Sequence, residues 1–247
     1  MRRTALVALV AAGAALSACA YNETLGRNQF LLVDDSALSQ QADAAWAEAL
    51  RTQRVSSDAA ANARVRRVGE RIVQAAGLAD RRWDYAVFVS DSPNAFVLPS
   101  GKIGVTTGLL SLVRNDDQLA AVLGHEVGHA VAQHAAERYS QTAAANLGLG
   151  VLQGAAGDYA QAAGAIGGLG AQLGVLLPFS RRHELEADRL GVDYLQRAGY
   201  RPSEAIALWR LMAQQRQGSQ LEFASTHPSD ASRIAALEQY IESQGWG

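Results

Sequence analysis

The chain has 247 residues, of which 49% are hydrophobic and 19% charged, so a sizeable core is available and extended disorder is excluded. Its 22 basic and 24 acidic residues nearly balance, and no basic patch stands out, which argues against nucleic acid as a partner. The single cysteine, Cys19, excludes an internal disulfide and any structural metal site built from several Cys ligands.

The first 18 residues have the layout of an export signal. Two N-terminal arginines precede an uncharged stretch, residues 5–16, that is too short to span a bilayer, which takes about 20 apolar residues. The stretch ends in Leu-Ser-Ala-Cys, which resembles the lipobox of bacterial lipoproteins and implies cleavage before Cys19 and lipidation of that residue. Because Ala20 follows, the resemblance implies an outer-membrane protein that faces the periplasm. The alternative is an ordinary secretory peptide with an incidental cysteine.

After this signal the sequence predicts a tether at residues 19–36 and one mostly helical domain at 37–247. Apolar residues at helical or alternating spacing, with turn residues between them, place its elements. The predicted helices are Ala37–Arg54, Asp58–Ala76, Leu109–Val113, Asp116–Gln141, His183–Ala198, Ser203–Arg216 and Asp230–Ser243, and the predicted strands are Tyr85–Val89, Asn94–Leu98 and Ile103–Thr106. The fold class is therefore mainly α with a small β-sheet (α+β).

Residues 141–178 form a Gly/Ala-rich insert with nine glycines and one charge, Asp158. Three interpretations stay open for it. The uncharged run at 159–180 is long enough to span a membrane, it could form a surface-touching or lid hairpin, or it could fold as small-residue helices packed on the domain.

The long helix carries the motif Gly124-His125-Glu126-Val127-Gly128-His129. Histidines at i and i+4 share one helical face, so His125 and His129 can reach one Zn²⁺. Glu126 is rotated by about 100°, which lets it touch a water in the open position of the metal without binding the metal. The flanking residues are apolar, so the motif is expected to be buried, where a metal would satisfy its polar groups.

Catalytic zinc usually takes three protein ligands, so one more is needed. His134, five residues after His129, points off that face. Glu184 and Asp188 share a face of a later helix, and one carboxylate could bind zinc while the other accepts an imidazole N–H. Periodicity alone leaves a rival interpretation, a solvated acidic face with ion pairs to neighbouring arginines.

Together these motifs resemble the HtpX / CaaX-prenyl-protease family of zinc metallopeptidases, in the small lipoprotein branch with LoiP, BepA and the Oma-type proteases. The resemblance rests on His-Glu-x-x-His with Glu-x-x-x-Asp, and on segments around residues 94–110 and 226–233. It implies a zincin-type metallopeptidase domain with one Zn²⁺ bound by His125, His129 and Glu184. It also implies Glu126 as general base and Asp188 as the residue that orients a ligand. His183, directly before Glu184, is a residue at which relatives vary.

Two further sites are predicted from the same resemblance. Asn94, Ala95 and Phe96 resemble an edge strand to which a substrate chain adds as an extra strand, the alternative being an ordinary hairpin strand. His227 could stabilise an oxyanion, coordinate zinc in a latent state, or serve as a structural loop residue.

The predicted function is a lipid-anchored zinc endopeptidase that hydrolyses misfolded or envelope proteins, as the family implies. Its expected partners are unfolded or misfolded protein substrates, the membrane through the lipid on Cys19, and outer-membrane assembly factors. The competing hypothesis is a non-proteolytic chaperone or assembly factor with a structural or latent zinc site. An intact Glu126 weighs against it, because a structural site needs no general base.

Overall fold

The computed structural model describes residues 19–33, 35–153, 179–215, 223, 226–227 and 231–246. The predicted signal peptide at 1–18 and most of the Gly/Ala-rich insert, residues 154–178, lie outside the described residues. Its strands are β1 (Cys19–Asn22), β2 (Arg27–Phe30), β3 (Asp84–Phe88), β4 (Ala95–Leu98) and β5 (Lys102–Thr106). Its helices are α1 (Asp35–Thr52), α2 (Ala59–Ala75), α3 (Thr107–Leu112), α4 (Asp116–Val131), α5 (His134–Gln153), α6 (Arg181–Arg197), α7 (Ser203–Gln215) and α8 (Ala231–Ser243).

The described residues are mainly helical with small sheets, which confirms the predicted fold class. None of the described helices is both long and apolar enough to cross a membrane. The β-sheet has the order β3-β5-β4, with β3 and β5 parallel and β4 antiparallel to β5. Among the described strands, β4 therefore lies at an edge of the sheet.

The main core lies between the sheet and helices α2, α4, α6 and α7. Helix α2 contributes Val65, Val68 and Ile72, which recur at helical spacing and are fully buried. Each such side chain stabilises the fold by about 1.5–3 kcal/mol relative to an exposed one. A second cluster covers the other face of the sheet, where Trp46 of α1 packs edge-on against Phe88 and Phe96.

Among the described elements, helices α4 and α6 make the most extensive contact, and glycine makes that contact possible. A Cβ added at Gly191 of α6 would lie 2.9 Å from the backbone nitrogen of His125, and one at Gly128 would lie 2.9 Å from the carbonyl oxygen of Ala187. The two backbones are therefore closer than alanine would allow, which places the Glu-x-x-x-Asp helix directly against the His-Glu-x-x-His helix.

The structure differs from the sequence analysis in two elements. Residues 19–36, predicted as a tether, contain the antiparallel hairpin of β1 and β2, in which Cys19 pairs with Phe30. The helix predicted at Asp116–Gln141 is interrupted after Val131, because Gln133 adopts a left-handed conformation with φ of 52°. Neither glycine nor proline marks this break, so the sequence gives no conventional signal for it.

Candidate metal centre

Four potential metal ligands converge where α4 meets α6. His125 and His129 project from α4, Glu184 projects from the first turn of α6, and His227 comes from a short segment near the end of the chain. One ligand atom of each residue lies within 4.8 Å of the others, and all four side chains are buried. Ser180 fixes the start of α6, because its side chain accepts a hydrogen bond from the backbone N–H of His183.

The orientation of His125 is set by Asp188 on the next turn of α6. The imidazole Nδ1 of His125 lies 2.9 Å from Oδ1 of Asp188, to which we assign it as donor. Its Nε2 atom lies 3.5 Å from Oε2 of Glu184, on the side where a metal would bind. Carboxylates commonly hold metal-ligating histidines in this way, because the hydrogen bond selects the tautomer that can bind a metal.

A buried arginine, Arg233 of α8, contacts both buried carboxylates of α6. Its guanidinium donates to Asp188 from Nε at 2.5 Å and from Nη2 at 2.7 Å, and its Nη1 lies 2.5 Å from Oε2 of Glu184. Arg233 is 1% exposed, so this ion pair is shielded from water. Its single positive charge therefore offsets part of the negative charge of the two carboxylates, which lowers the cost of burying them side by side.

Burial and hydrogen bonding shift the pKa values of the ligand side chains in opposite directions. Burial alone would raise the pKa of Glu184, but the imidazoles of His125 and His129 hold it far below its ordinary range. Burial would lower the pKa of His125, yet hydrogen bonds to Asp188 and Glu184 outweigh it and raise the pKa to about 9. For His129 burial prevails and lowers the pKa well below 6.5, so its neutral form is favoured.

Glu126 lies beside the four donors and is buried. Its Oε1 atom is 3.2 Å from Nε2 of His227 but has no hydrogen-bond partner among the described residues. Burial raises the pKa of this carboxyl above its ordinary value. A buried carboxyl with a free acceptor atom beside a set of metal ligands is suited to exchange a proton with a molecule bound there.

The donor set fits zinc. Imidazole nitrogens and a carboxylate oxygen are ordinary zinc ligands, and the three residues His125, His129 and Glu184 match the composition of hydrolytic sites that leave a position open. With His227 as a fourth donor the set would match a closed, four-coordinate site.

A cavity of about 400 Å³ opens beside these residues. Glu126, His129 and His227 line one part of it, and the edge strand β4 with residues 94–98 lines another. The rest of the lining is largely apolar and includes Trp46. An extended chain bound along β4 would therefore run past the candidate metal centre.

Comparison with known proteins identifies the family. Residues 59–241, most of the chain, match the family model Peptidase family M48. The chain belongs to peptidase family M48. This confirms the resemblance drawn from the sequence motifs, and the M48 domain so defined contains His125, His129 and Glu184.

Relatives of this M48 chain come from mitochondria and from bacteria. It is 40% identical to the mitochondrial metalloendopeptidase OMA1 of Schizosaccharomyces pombe over 72% of this chain and 52% of that protein. It is 27% identical to the metalloprotease LoiP of Escherichia coli K12 over 66% of this chain and 64% of that protein. It is 29% identical to the beta-barrel assembly-enhancing protease of Escherichia coli O157:H7 over 68% of this chain and 36% of that protein. The chain spans about half or less of the length of the first three mitochondrial relatives that it matches.

The M48 domain brings together most of the residues that the sequence singled out. Glu184 and Asp188 are buried against α4, which excludes a solvated acidic face. His183 lies outside the four-donor set and contacts Glu137 at 3.2 Å.

Cys19, predicted as the lipidation site, is exposed at the start of β1.

The structure adds two residues that support the ligands. His134 is not among the predicted ligands and lies outside the four-donor set, but the break at Gln133 redirects the chain and brings its Nδ1 atom to 2.9 Å from Nδ1 of His129. Arg233 received no role, although it precedes Leu237 and Ile241 at four-residue spacing on the buried face of α8. A charged residue on an apolar helical face was the signal that could have identified it.

Proposed function

We propose that the protein is a zinc-dependent endopeptidase that hydrolyses peptide bonds of unfolded or misfolded proteins. The observation that carries this proposal is the position of Glu126, buried and without a hydrogen-bond partner among the described residues, between the zinc-type donor set and the cavity along β4. A structural zinc site has no need of such a carboxyl. The names of the relatives, which include metalloendopeptidases and a metalloprotease, support the same reaction.

His125, His129 and Glu184 would hold the metal, and Asp188 would orient His125. When bound, Zn²⁺ supplies Lewis acidity, which polarises the scissile carbonyl and lowers the pKa of water towards about 7. Glu126 accepts the proton of the attacking water on its unpartnered oxygen and then delivers it to the leaving amine. Backbone groups of β4 would hold the substrate as an added strand, with Asn94, Ala95 and Phe96 at the contact.

The decisive variant is Glu126→Gln, which keeps the shape of the side chain and removes its basicity. We expect it to bind one zinc per chain and to cleave casein about 10²–10⁴ times more slowly than the wild type, the range for loss of a general base. A chelator should abolish the wild-type activity, and added zinc should restore it. Full cleavage by a folded, zinc-loaded Glu126→Gln protein would overturn the mechanism.

His227 supports a second candidate, a chaperone or assembly factor with a structural or latent zinc site. Its Nδ1 lies 3.1 Å from Oε1 of Glu184 and 3.2 Å from Nε2 of His125, close enough to complete a closed set of ligands. If it holds the enzyme latent, His227→Ala should cleave casein faster than the wild type. If it stabilises an oxyanion, the same variant should be about 10²–10³ times slower. An inactive wild type that stays inactive in the variant would favour the chaperone.

We also propose that the mature protein is anchored through lipid on Cys19 to the outer membrane and faces the periplasm, where it acts in quality control of envelope proteins. The lipobox-like string before Cys19 supports this placement, and the exposed position of that residue is compatible with it. Labelled palmitate should be incorporated by the wild type but not by Cys19→Ser, and the wild type should fractionate with outer membranes. Equal labelling of both proteins would contradict the anchor. Outer-membrane assembly factors are the proposed partners, to be sought by crosslinking in cells.

A further inference from the structure

A chain of polar contacts runs from His129 to the N-terminal hairpin of β1 and β2, through groups that the mechanism does not use. Nδ1 of His134 lies 2.9 Å from Nδ1 of His129, and Nε2 of His134 lies 3.0 Å from Oε2 of Glu186. Arg27 of β2 donates two parallel hydrogen bonds to Glu186, from Nε to Oε1 at 2.6 Å and from Nη2 to Oε2 at 2.7 Å.

These contacts allow one assignment of protons that would prepare His129 for a metal. An ionised carboxylate only accepts, so His134 donates its Nε2–H to Glu186. The Nδ1 atom of a neutral His134 then accepts the Nδ1–H of His129. His129 is then left with an unprotonated Nε2, which a metal lying between it and Glu184 would bind; Nε2 and Oε1 of Glu184 are 3.4 Å apart.

Further hydrogen bonds hold the hairpin on the domain and fix Arg27 at the outer end of this series of contacts. Arg27 also forms a two-pronged pair with Glu137, with bonds of 2.9 and 2.8 Å, and its side chain is only 14% exposed. The buried amide of Gln29 donates to Glu137 at 2.7 Å and to the carbonyl of Ala132 at 2.8 Å, beside the break between α4 and α5. The hairpin therefore contacts the segment that places His134.

We infer that Arg27 is a positioning residue, through which docking of the N-terminal hairpin orients the imidazole of His129 for zinc. The inference rests on the proposed zinc site. It implies that the hairpin and the metal stabilise each other, because a coupling free energy between two sites is reciprocal. A hairpin that were merely packed on the domain would be indifferent to zinc.

The test uses the purified protein with zinc alone as the probe. Zinc affinity is measured by competition with a chromophoric chelator, and amide hydrogen exchange of residues 19–30 is measured with and without zinc. In the wild type we expect zinc to slow exchange in the hairpin. Arg27→Ala should bind zinc about 10-fold more weakly, the lower end of the effect of losing an outer hydrogen-bond partner, and should lose the zinc-dependent protection.

Two further variants test whether the effect depends on the guanidinium of Arg27. Arg27→Lys keeps the charge but lacks the planar fork, so its zinc affinity should fall between those of the wild type and Arg27→Ala. Arg182→Ala is the matched control, because Arg182 also approaches Glu186, at 3.9 Å, but is 70% exposed. It should behave as the wild type.

The wild-type exchange measurement decides the question even if Arg27→Ala does not fold. Zinc binding without any change in hairpin exchange, or wild-type affinity in folded Arg27→Ala, would overturn this inference and leave the proposed enzyme intact. A wild type that binds no zinc would overturn both.

Discussion

Replacing Gly191 by alanine tests whether the close contact of α4 and α6 sets the spacing of the metal ligands. The added Cβ would lie 2.9 Å from the nitrogen of His125, whereas ordinary contacts begin at 3.4 Å, so the helices must separate by about 0.5 Å. The atom that the new Cβ meets belongs to the backbone of α4, so no side-chain rotation can relieve the contact. Overpacking of this kind costs about 1–3 kcal/mol, and the higher helix propensity of alanine returns up to about 1 kcal/mol.

The net expectation for Gly191→Ala is a loss of about 1–2 kcal/mol. For a domain of this size it corresponds to a melting temperature about 2–8 °C lower, measurable by calorimetry. A shift of about 0.5 Å also exceeds the roughly 0.2 Å tolerance of zinc coordination distances, so zinc affinity should fall as well. Gln196→Ala, an exposed change on the same helix, is the matched control. If Gly191→Ala keeps both the wild-type melting temperature and the wild-type zinc affinity, the reasoning is refuted.

Three other predictions concern charge and packing. Arg233→Leu leaves the buried charge of Asp188 without its guanidinium partner, which should lower the free energy of unfolding by about 3–5 kcal/mol. Zinc should recover part of this loss, because its charge replaces that of the guanidinium. Melting temperatures of both proteins with and without zinc test the effect. Trp46→Ala removes a ring whose centroid lies 5.7 Å from that of Phe88. The free energy of unfolding, measured with denaturant, should fall by about 3–5 kcal/mol. Burial would raise the pKa of Glu137, but hydrogen bonds from His183, Arg27 and Gln29 hold it well below 4.5. The ionised form therefore contributes stability above about pH 4.5 that is lost as the pH falls further, and the stability advantage of the wild type over Glu137→Gln should shrink there.

Each of these predictions has its own control or contrary outcome. An equal loss of stability in Arg233→Leu with and without zinc would contradict the role of Arg233 as counter-ion. Leu50→Ala, which changes an exposed residue of α1, should alter unfolding by less than about 0.5 kcal/mol; a similar cost in both variants would show that the Trp46 cluster is not special. A constant stability difference between the wild type and Glu137→Gln from pH 7 to pH 3 would contradict the ion pair.

Local sequence patterns predict much of the helical and strand structure and suggest the ligand set. His125 and His129 are separated by one helical turn, so periodicity alone places both imidazoles on one face. The strand at Ala95–Leu98 follows from its apolar residues and the turn residues on both sides. Glu184 required the family resemblance, because an acidic pair at this spacing also occurs on solvated helices with ion pairs to neighbouring arginines.

The residues that support the ligands could not be predicted, because they depend on contacts between distant parts of the chain. Arg27 and Glu186 are 159 residues apart, and neither belongs to a recognisable motif. The position of His134 depends on the left-handed conformation of Gln133, a residue type with no strong preference for it. The strands of the β1–β2 hairpin are short and polar, so no periodic pattern marks them, and the contacts of Arg27 and Gln29 attach the hairpin to the domain.

The guanidinium of Arg233 has a consequence for how the protein takes up its metal. Many small zinc domains are unfolded until the ion arrives, because the free energy of metal binding supplies most of their folding free energy. Here a cation built into the chain already contacts both Glu184 and Asp188, so part of their charge is compensated before any metal binds. The domain is expected to fold first and acquire zinc afterwards, and removing the ion with a chelator should leave a folded protein that can be reloaded.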